Sequence, residues 1–583
     1  MEEKIRKNVW WLIPLVFSGL IYANSVRGIF FWDDRGVILE NTAVKSWTGA
    51  LSTFNPDYWL KSHPGAKGQY RPLRNLLFTL DYSLWHTRPF GYHLTNFLLN
   101  LAAVLLVCVV SKELFASKGA ALLAGLVFAA HPMHVETINF VKNRSDMLCL
   151  ALLLVSLLSF MRGRRWVSVG VFFLALFAKE FAVAFPLVLL LLPRGGLRER
   201  ARLALPHFAL SAGLIYLKLA FLRPGGPQLT DPVIDGVSPF WVVVSTVTQY
   251  FYLLFFPFKL ELDRQLSVIS SPFSPAFLFF LLCLAAAAVW LARSRSEHKG
   301  AYLFSLAWIF LFLGPVSNVI PLTARLLAEQ RLYVPSAGLA FLAGGVAREI
   351  YLRSGLYRNY LAGALLVGLF LSGYQVMRRN ELWSNELLLW AQAVKENPSN
   401  MRAYENLGAS LLRAKDYEGA ERVYSRMLPR FPKESSIRTN LAVIAQARGD
   451  LRGALAHFEK ARELAPNDAQ VSMNLGSAYF LLGDRKAAMK LYQEAAGLAP
   501  DEAGIYANIG VLYAGDKKFR EAAGFFKRAV ELDPDLIEAR LNLATAYKTL
   551  GLEREAQAEL EEAQARMAAG AGSSGYNPSV TFR

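Results

Sequence analysis

The chain has 583 residues, of which 54% are apolar, and Lys and Arg outnumber Asp and Glu by 63 to 46. This apolar share and a mean hydropathy of +0.27 exclude a soluble protein of this length, so most of the chain is expected to lie in lipid. The basic residues fall in short clusters between apolar runs, which is the pattern of cytoplasmic loops and argues against a nucleic-acid partner.

The N-terminus carries Lys4, Arg6 and Lys7 and continues into an apolar stretch from about Val9 to Val26. This arrangement fits either a secretory signal peptide or a first spanning helix. The stretch is longer than a typical signal core, and no small-residue cleavage site follows it. We therefore predict an uncleaved first helix with a cytoplasmic N-terminus.

Further apolar runs follow, and several are shorter than the roughly 20 residues that a straight crossing needs. They occupy residues 92–110, 119–131, 147–160, 166–178, 181–193, 207–222, 241–258, 273–292, 301–320, 333–347 and 359–376. Together with the first stretch they make about twelve candidate segments.

Basic clusters mark the cytoplasmic loops and set the number of crossings. Three apolar runs separate the clusters at 194–202 and 293–299, so one of these runs must fail to cross. The aromatic run 241–258 is predicted to lie at the interface or to re-enter. The result is about eleven crossings, with the chain emerging outside after the last one. The loops predicted to lie outside are 28–91, 131–146, 223–240 and 315–332.

A regular 34-residue period begins after Trp383. Prolines recur at that interval, as do asparagines, and small and large residues alternate between them as in paired helices. This pattern predicts a tetratricopeptide solenoid of about five repeats over residues 381–568, followed by a disordered tail at 569–583. Such arrays offer a groove for extended peptides, and a spacer or dimerisation surface is the alternative. The predicted acceptor-binding asparagines are Asn406, Asn440, Asn474, Asn508 and Asn542.

Two adjacent carboxylates, Asp33 and Asp34, follow the outer end of the first helix. Their mutual repulsion raises the proton affinity of one of them, which suits a general base that deprotonates an acceptor hydroxyl. A solvated loop pair or a helix cap is the alternative interpretation. The sequence does not decide which of the two is the base.

Candidate phosphate ligands lie in the same outer loops, because cationic and imidazole groups donate hydrogen bonds to phosphate oxygens. Zinc is a weaker interpretation of the His131-Pro132-Met133-His134 segment, since the proline breaks the helix that the metal spacing needs, so no metal site is predicted. The phosphate candidates are His131, His134, Lys142, Arg144, Arg71, Lys179 and Arg331, and further polar candidates are Glu136, Asp146 and Glu180.

These motifs and their order resemble the transmembrane and tetratricopeptide-repeat O-mannosyltransferases and their bacterial relatives. The resemblance rests on Trp-Asp-Asp, Tyr-Arg-Pro-Leu, His-Pro-x-His-x-Glu, Arg-Ser-Asp, Ala-Lys-Glu and Leu-Tyr-Val-Pro-Ser segments followed by the repeats. The segment Glu329-Gln330-Arg331-Leu332-Tyr333 departs from the Glu-Arg-Tyr-Leu-Tyr pattern of the family. The resemblance covers nearly the whole chain.

The resemblance implies an all-α protein with a multispanning GT-C-type glycosyltransferase domain over residues 1–380. It also implies a polyprenyl-phosphate sugar, mannose in this family, as donor, inversion at the anomeric carbon, and an acidic catalytic motif that maps onto Asp33 and Asp34. The expected partners are membrane lipid, the lipid-linked donor and a protein acceptor held by the repeats. No cofactor is assigned, and a divalent cation stays open.

Other functions stay open at this stage. A non-catalytic membrane scaffold would use the repeats to recruit partners, and a related transferase would modify lipid or cell-wall glycan. A transporter would carry ionisable residues in mid-helix, a pattern that the sequence lacks. The expected location is the bacterial inner membrane with catalytic loops and repeats on the periplasmic side, or the endoplasmic reticulum in a eukaryote.

Overall fold

A computed structural model describes residues 9–61, 70–221, 236–319 and 325–568. The basic residues of the N-terminus, most of the predicted loop 223–240 and the predicted tail 569–583 lie outside these ranges. Every regular element in the described part of the chain is helical, which confirms the all-α prediction. The chain divides into two compact units, Met1–Leu389 and Trp390–Arg583.

The first unit contains helices of very different length, and the predicted apolar runs correspond to them. They are α1 Leu12–Tyr22, α2 Trp47–Ser52, α3 Pro56–Lys61, α4 Pro72–Trp85, α5 Pro89–Phe115, α6 Lys118–Ala130, α7 His134–Asn139, α8 Arg144–Met161, α9 Arg165–Ala178, α10 Phe185–Leu190, α11 Leu197–Phe221, α12 Pro239–Phe255, α13 Pro275–Arg293, α14 Lys299–Leu313, α15 Tyr333–Arg353 and α16 Arg358–Leu382.

In the part of the chain that the structure describes, six stretches of helix are long and apolar enough to cross a membrane: Pro89–Phe115, Val141–Met161, Leu197–Ala220, Pro275–Arg293, Lys299–Val316 and Arg358–Leu382. Shorter apolar helices include α6, α9 and the predicted interfacial segment α12. The chain is therefore a multi-pass membrane protein. The count of eleven crossings, the sidedness of the loops and the interfacial placement of α12 stay predictions.

Helix α6 lies among α1, α5, α15 and α16, and small residues allow the close approach. A Cβ atom on Gly125 would lie 2.2 Å from the Cys108 sulfur, and one on Gly344 would lie 2.5 Å from the Ala120 carbonyl oxygen. Membrane helices pack through such small residues because surrounding lipid supplies no hydrophobic drive. This packing leaves the segments that follow α1 and α6 close enough to form hydrogen bonds with each other.

The second unit is a series of helix pairs with a constant period. Helix α17 spans Glu386–Glu396 and overlaps the unit boundary. The pairs are α18 Met401–Arg413 with α19 Tyr417–Met427, α20 Ser435–Ala447 with α21 Leu451–Leu464, α22 Ala469–Leu481 with α23 Arg485–Leu498, α24 Ala503–Gly515 with α25 Phe519–Leu532, and α26 Ile537–Thr549 with α27 Glu553–Ala568. The first helices start 34 residues apart, as the sequence predicts.

Glycine and aromatic residues lock the two helices of a repeat together. A Cβ atom on Gly476 of α22 would lie 2.7 Å from the Tyr492 ring of α23, and Gly408 and Gly510 face aromatic rings in the same way. Only glycine lets the ring lie against the helix backbone here. Asp484 starts the second helix by accepting a hydrogen bond from the Ala487 amide at 3.0 Å, as N-cap residues do.

This packing predicts opposite effects for two glycine substitutions within one repeat. Gly476→Ala forces the ring away and is expected to cost about 1–3 kcal/mol of stability. Gly497→Ala lies on the same helix pair with no heavy atom within 4 Å, and it should stabilise by about 0.4–1 kcal/mol. Urea titration of the full chain, followed by protease cleavage within the repeats, measures both. Cleavage of both variants at the same urea concentration would contradict the packing.

Candidate functional site

The acidic pair lies in a strained turn after α1 and the short 3₁₀ helix Ala23–Arg27. Trp32 has a φ of 49°, a left-handed conformation that is rare for a bulky aromatic residue. Its indole stacks on the Phe140 ring, with centroids 6.2 Å apart and planes within 3°. The loop after α7 therefore supports the strained residue that precedes Asp33.

Asp34 is fully buried and joins two loops that are distant in sequence. One carboxylate oxygen accepts the Lys142 amide at 2.7 Å, and the other accepts the amides of Phe31 at 3.2 Å and Val141 at 3.3 Å. Burial raises the pKa of Asp34 to about 7, and the three amides act in the opposite direction. The charge of Asp33 adds a smaller upward contribution. Asp34 thus clamps the segment after α1 to the segment before α8.

Asp33 differs from its neighbour because 42% of its side chain is exposed. Its carboxylate forms an ion pair with the ammonium group of Lys142, whose own amide is bound by Asp34. The structure therefore separates the two adjacent aspartates: one is a buried clamp and the other is a carboxylate that a substrate can reach.

Arg144, a predicted phosphate ligand, is fully buried in an internal ion pair. Its guanidinium lies 2.6 Å from the Asp81 carboxylate and donates to the Asn96 side chain at 2.8 Å and the Tyr92 carbonyl at 2.9 Å. These partners lie on α4 and α5, so the arginine ties the start of α8 to both helices. Its phosphate-binding role stays a prediction, and its contacts are those of a structural residue.

Four further predicted residues form two neighbouring ion pairs. Arg71 makes a two-pronged contact with Glu180 at 3.0 and 3.3 Å. Lys179 contacts Asp146 at 2.5 Å, and both side chains are buried. The sequence places all four in outer loops, and the structure brings them together as paired charges.

The two histidines after α6, His131 and His134, are buried and bonded within the protein. His131 Nε2 lies 3.0 Å from the Leu254 carbonyl oxygen, and His134 Nε2 lies 2.8 Å from the Ser336 hydroxyl. Burial lowers the pKa of His131 to about 4 and also lowers that of His134. Both imidazoles are therefore neutral near pH 7 and supply no positive charge to a phosphate.

Glu136 and Arg331 both contact Arg325, which belongs to no motif in the sequence. Arg325 contacts the buried carboxylate of Glu136 at 2.9 Å, and its guanidinium lies over the Trp32 ring at 5.8 Å from the centroid. Arg331 donates to the backbone carbonyls of Leu326 and Arg325, each at 2.8 Å. The only sequence signal for Arg325 is its place in the predicted outer loop 315–332. Through Trp32 this network supports the acidic turn.

The described residues show whether side chains are placed so that they could hold a metal ion. Within residues 9–61, 70–221, 236–319 and 325–568, no three His, Cys, Asp or Glu side chains are grouped so that they could hold a metal ion. Cys108 and Cys149 are buried free thiols. The need for a divalent cation is untested by this geometry.

The five asparagines predicted to bind an acceptor all lie on the first helix of a repeat. The side chains of Asn508 and Asn542 are buried, whereas the other three are half-buried. Asn406 donates to the Arg402 carbonyl at 2.8 Å, and Asn474 accepts from Gln470 at 3.2 Å. Their equivalent positions form a ladder along the array, and the acceptor-binding role stays a prediction.

Taken together, these features describe a multi-pass helical membrane unit with a polar, carboxylate-bearing turn, followed by tetratricopeptide repeats. Family models described as "Tetratricopeptide repeat" match residues 387–435, 434–501 and 482–537. Among solved structures, MamA shares 24% identity over 28% of this chain and 95% of its own, with a TM-score of 0.25.

Curated relatives confirm the resemblance to the transmembrane and tetratricopeptide-repeat O-mannosyltransferases. Protein O-mannosyl-transferase F38B6.6 of Caenorhabditis elegans is 25% identical, with 69% of this chain and 59% of the relative covered. Protein O-mannosyl-transferase TMTC4 of Homo sapiens is 26% identical (69% and 64%). TMTC3 of Mus musculus is 27% identical (71% and 50%). The chain thus spans one half to two thirds of these relatives' length.

The two aspartates should respond differently to the same isosteric change. Asp34→Asn leaves at least one buried amide without an acceptor, at a cost of about 1–3 kcal/mol, so the thermal midpoint falls by several degrees. Asp33→Asn still offers an amide oxygen to Lys142 and breaks a pair that is open to water on the Asp33 side, so it should cost less than Asp34→Asn. Thermal denaturation of both variants in detergent measures the difference. Equal midpoints would show that Asp34 is not the clamp.

Proposed function

We propose that this chain is a membrane glycosyltransferase that moves mannose from a polyprenyl-phosphate donor to a hydroxyl group of a protein acceptor, with inversion. The observation that carries the proposal is the division of labour between the two aspartates. Asp34 holds the turn, and Asp33 offers a half-exposed carboxylate beside a lysine. The similarity to protein O-mannosyl-transferases supplies the sugar and the kind of acceptor.

The proposed reaction is a single displacement. The acceptor oxygen forms a bond to the anomeric carbon while its proton passes to the Asp33 carboxylate. The bond between that carbon and the phosphate oxygen breaks, and polyprenyl phosphate leaves with the electron pair. Lys142, which is paired with Asp33, supplies positive charge beside that carboxylate.

The burial of Asp34 supports the proposed inversion. A retaining enzyme needs a second nucleophile to form a covalent sugar intermediate. Asp34 is buried with both oxygens engaged by backbone amides, so it is a poor nucleophile. With its neighbour Asp34 engaged, Asp33 acts as the base, and this favours attack by the acceptor itself on the face opposite the leaving phosphate.

The two units suit the two substrates. A polyprenyl chain needs a lipid environment while its phosphate meets water, which explains a donor site on a multi-pass unit. The repeats supply the extended surface that peptide recognition uses, and the half-buried asparagines of the ladder, Asn406, Asn440 and Asn474, carry amides suited to a peptide backbone. Catalysis requires the acidic turn and the repeats to share one aqueous compartment, as the sequence-based assignment of loops predicts.

A transfer assay tests the proposal directly. Membranes that contain the full chain, radiolabelled polyprenyl-phosphate mannose and a candidate protein acceptor should yield labelled protein. Asp33→Asn is expected to reduce the rate by about 100-fold or more, because general-base catalysis contributes 10²–10⁴-fold.

Asp57→Asn is the matched control, since Asp57 is an exposed carboxylate on α3 in the same predicted outer loop. Its transfer rate should equal that of the parent. Unchanged transfer by Asp33→Asn at equal protein level would remove the catalytic proposal and favour a scaffold. Label recovered in lipid or glycan instead of protein would overturn the acceptor assignment.

A further inference from the structure

Helix α4 begins with positively charged residues, which are unfavourable at a helix N-terminus. Arg71 is the N-cap residue and makes no capping hydrogen bond, Pro72 follows it, and the first turn contains no acidic residue. Arg74 lies in that first turn. Helix N-termini carry a partial positive charge and free amide groups, so they normally attract acidic side chains or anions. Arg71 is paired with Glu180, so Arg74 is the arginine at this end that has no counterion at ion-pair distance among the described residues.

Arg74 is also the exception among the buried cations of the first unit. Only 3% of its surface is exposed, yet within the described residues no carboxylate lies at ion-pair distance from it. Its Nε and Nη1 atoms lack any hydrogen-bond partner, and Nη2 makes one long contact of 3.5 Å to Asn75. Arg71, Arg144 and Lys179 each contact a carboxylate within 3.0 Å.

The electrostatic environment of Arg74 points to a missing anion. Burial and then the positive charge of Arg71 lower the pKa of the Arg74 guanidinium to about 9, and Tyr58, Glu180 and Asp34 oppose that shift. A buried cation without a partner is costly to the folded state. The influence of Asp34 also places Arg74 within electrostatic reach of the acidic turn.

We propose that Arg74, together with Arg71 and the N-terminus of α4, is a receptor for the phosphate of a phosphate ester. A guanidinium whose Nε and Nη1 atoms lack partners, placed at the positive end of a helix, is complementary to phosphate oxygens. If the proposed function holds, this phosphate is that of the polyprenyl donor, and Arg74 stabilises the charge that develops as the sugar leaves. Inorganic phosphate is the other source of the same chemistry.

Arg74, and not Arg144, is the arginine that binds the donor phosphate in this proposal. Arg144 has a buried carboxylate partner, so its charge is already compensated. Arg74 has no counterion at ion-pair distance among the described residues. It lies on the first turn of α4, three residues after the N-cap residue Arg71.

The experiment measures binding without sugar transfer. The full chain in lipid nanodiscs is titrated with polyprenyl phosphate, which lacks the sugar, and separately with inorganic phosphate. Arg74→Met should weaken binding of polyprenyl phosphate by about 10- to 100-fold, the loss expected for a charge-assisted contact of 1.5–3 kcal/mol. Arg88→Met is the matched control, because Arg88 is the N-cap residue of α5, precedes Pro89 and makes no capping hydrogen bond, but its side chain is exposed. Its affinity should equal that of the parent.

A second readout separates a binding role from a structural one. Because Arg74→Met removes a buried, unpaired charge, the ligand-free protein should melt at the same temperature as the parent or higher. Added polyprenyl phosphate should raise the midpoint of the parent but not that of the variant. A lower midpoint for ligand-free Arg74→Met would assign Arg74 to the fold and overturn the proposal.

The outcomes also distinguish this proposal from the transferase proposal. Phosphate binding that depends on Arg74 in a chain that transfers no sugar would support the receptor and remove the transferase. Equal affinity of parent and Arg74→Met for both ligands would overturn the receptor, whatever the transfer assay shows. Dependence on Arg74 for inorganic phosphate alone would overturn the lipid-phosphate assignment. If Arg74→Met fails to accumulate, Arg74→Gln takes its place with the same criteria.

Discussion

The candidate site depends on one interaction, the acceptance of three backbone amides by the buried carboxylate of Asp34. Those amides belong to two loops more than a hundred residues apart, so the contact fixes the turn after α1 against the segment before α8. An ionised carboxylate inside a protein is costly unless its oxygens are satisfied, and three amide donors satisfy it here. Because Lys142 supplies one of those amides, its side chain is brought to Asp33. The position of the exposed carboxylate is thus a consequence of the buried one.

The other charged residues of the predicted outer loops fall into two groups, those with a charged partner and those without one. Arg144 with Asp81, Lys179 with Asp146, and Arg325 with Glu136 are mostly buried pairs that connect separate helices and loops. Each pair fixes geometry because removal of one member would leave a buried charge. Asp33 is half-exposed, and two nitrogen atoms of the Arg74 guanidinium have no hydrogen-bond partner. These two side chains can therefore still interact with a ligand. A base for the acceptor hydroxyl and a receptor for the donor phosphate are two groups that the proposed sugar transfer requires.

Periodic features were readable from the sequence, and pairwise contacts were not. The 34-residue recurrence of proline and asparagine predicts the repeats, and the observed helices start at that interval. The apolar runs predict helices, although crossing numbers depend on loop charges that an isolated structure does not test. Nothing in two adjacent aspartates says which is buried, because the answer lies in amides contributed by Val141 and Lys142. Arg325 belongs to no motif, and the importance of Arg74 appears only from the partners that it lacks.

The central claim is that the acidic turn and the repeats face one aqueous compartment, and thiol labelling tests it most directly. Cys108 and Cys149 are buried, so a Cys283→Ser chain should react little with a thiol reagent. Single cysteines are then introduced into it at the exposed positions Gly36 and Lys490. A membrane-impermeant maleimide applied to right-side-out vesicles should label both sites, whereas Gly163→Cys in a predicted cytoplasmic loop should react only after permeabilisation. Labelling of Gly36→Cys from outside, with Lys490→Cys reacting only after permeabilisation, would contradict the account.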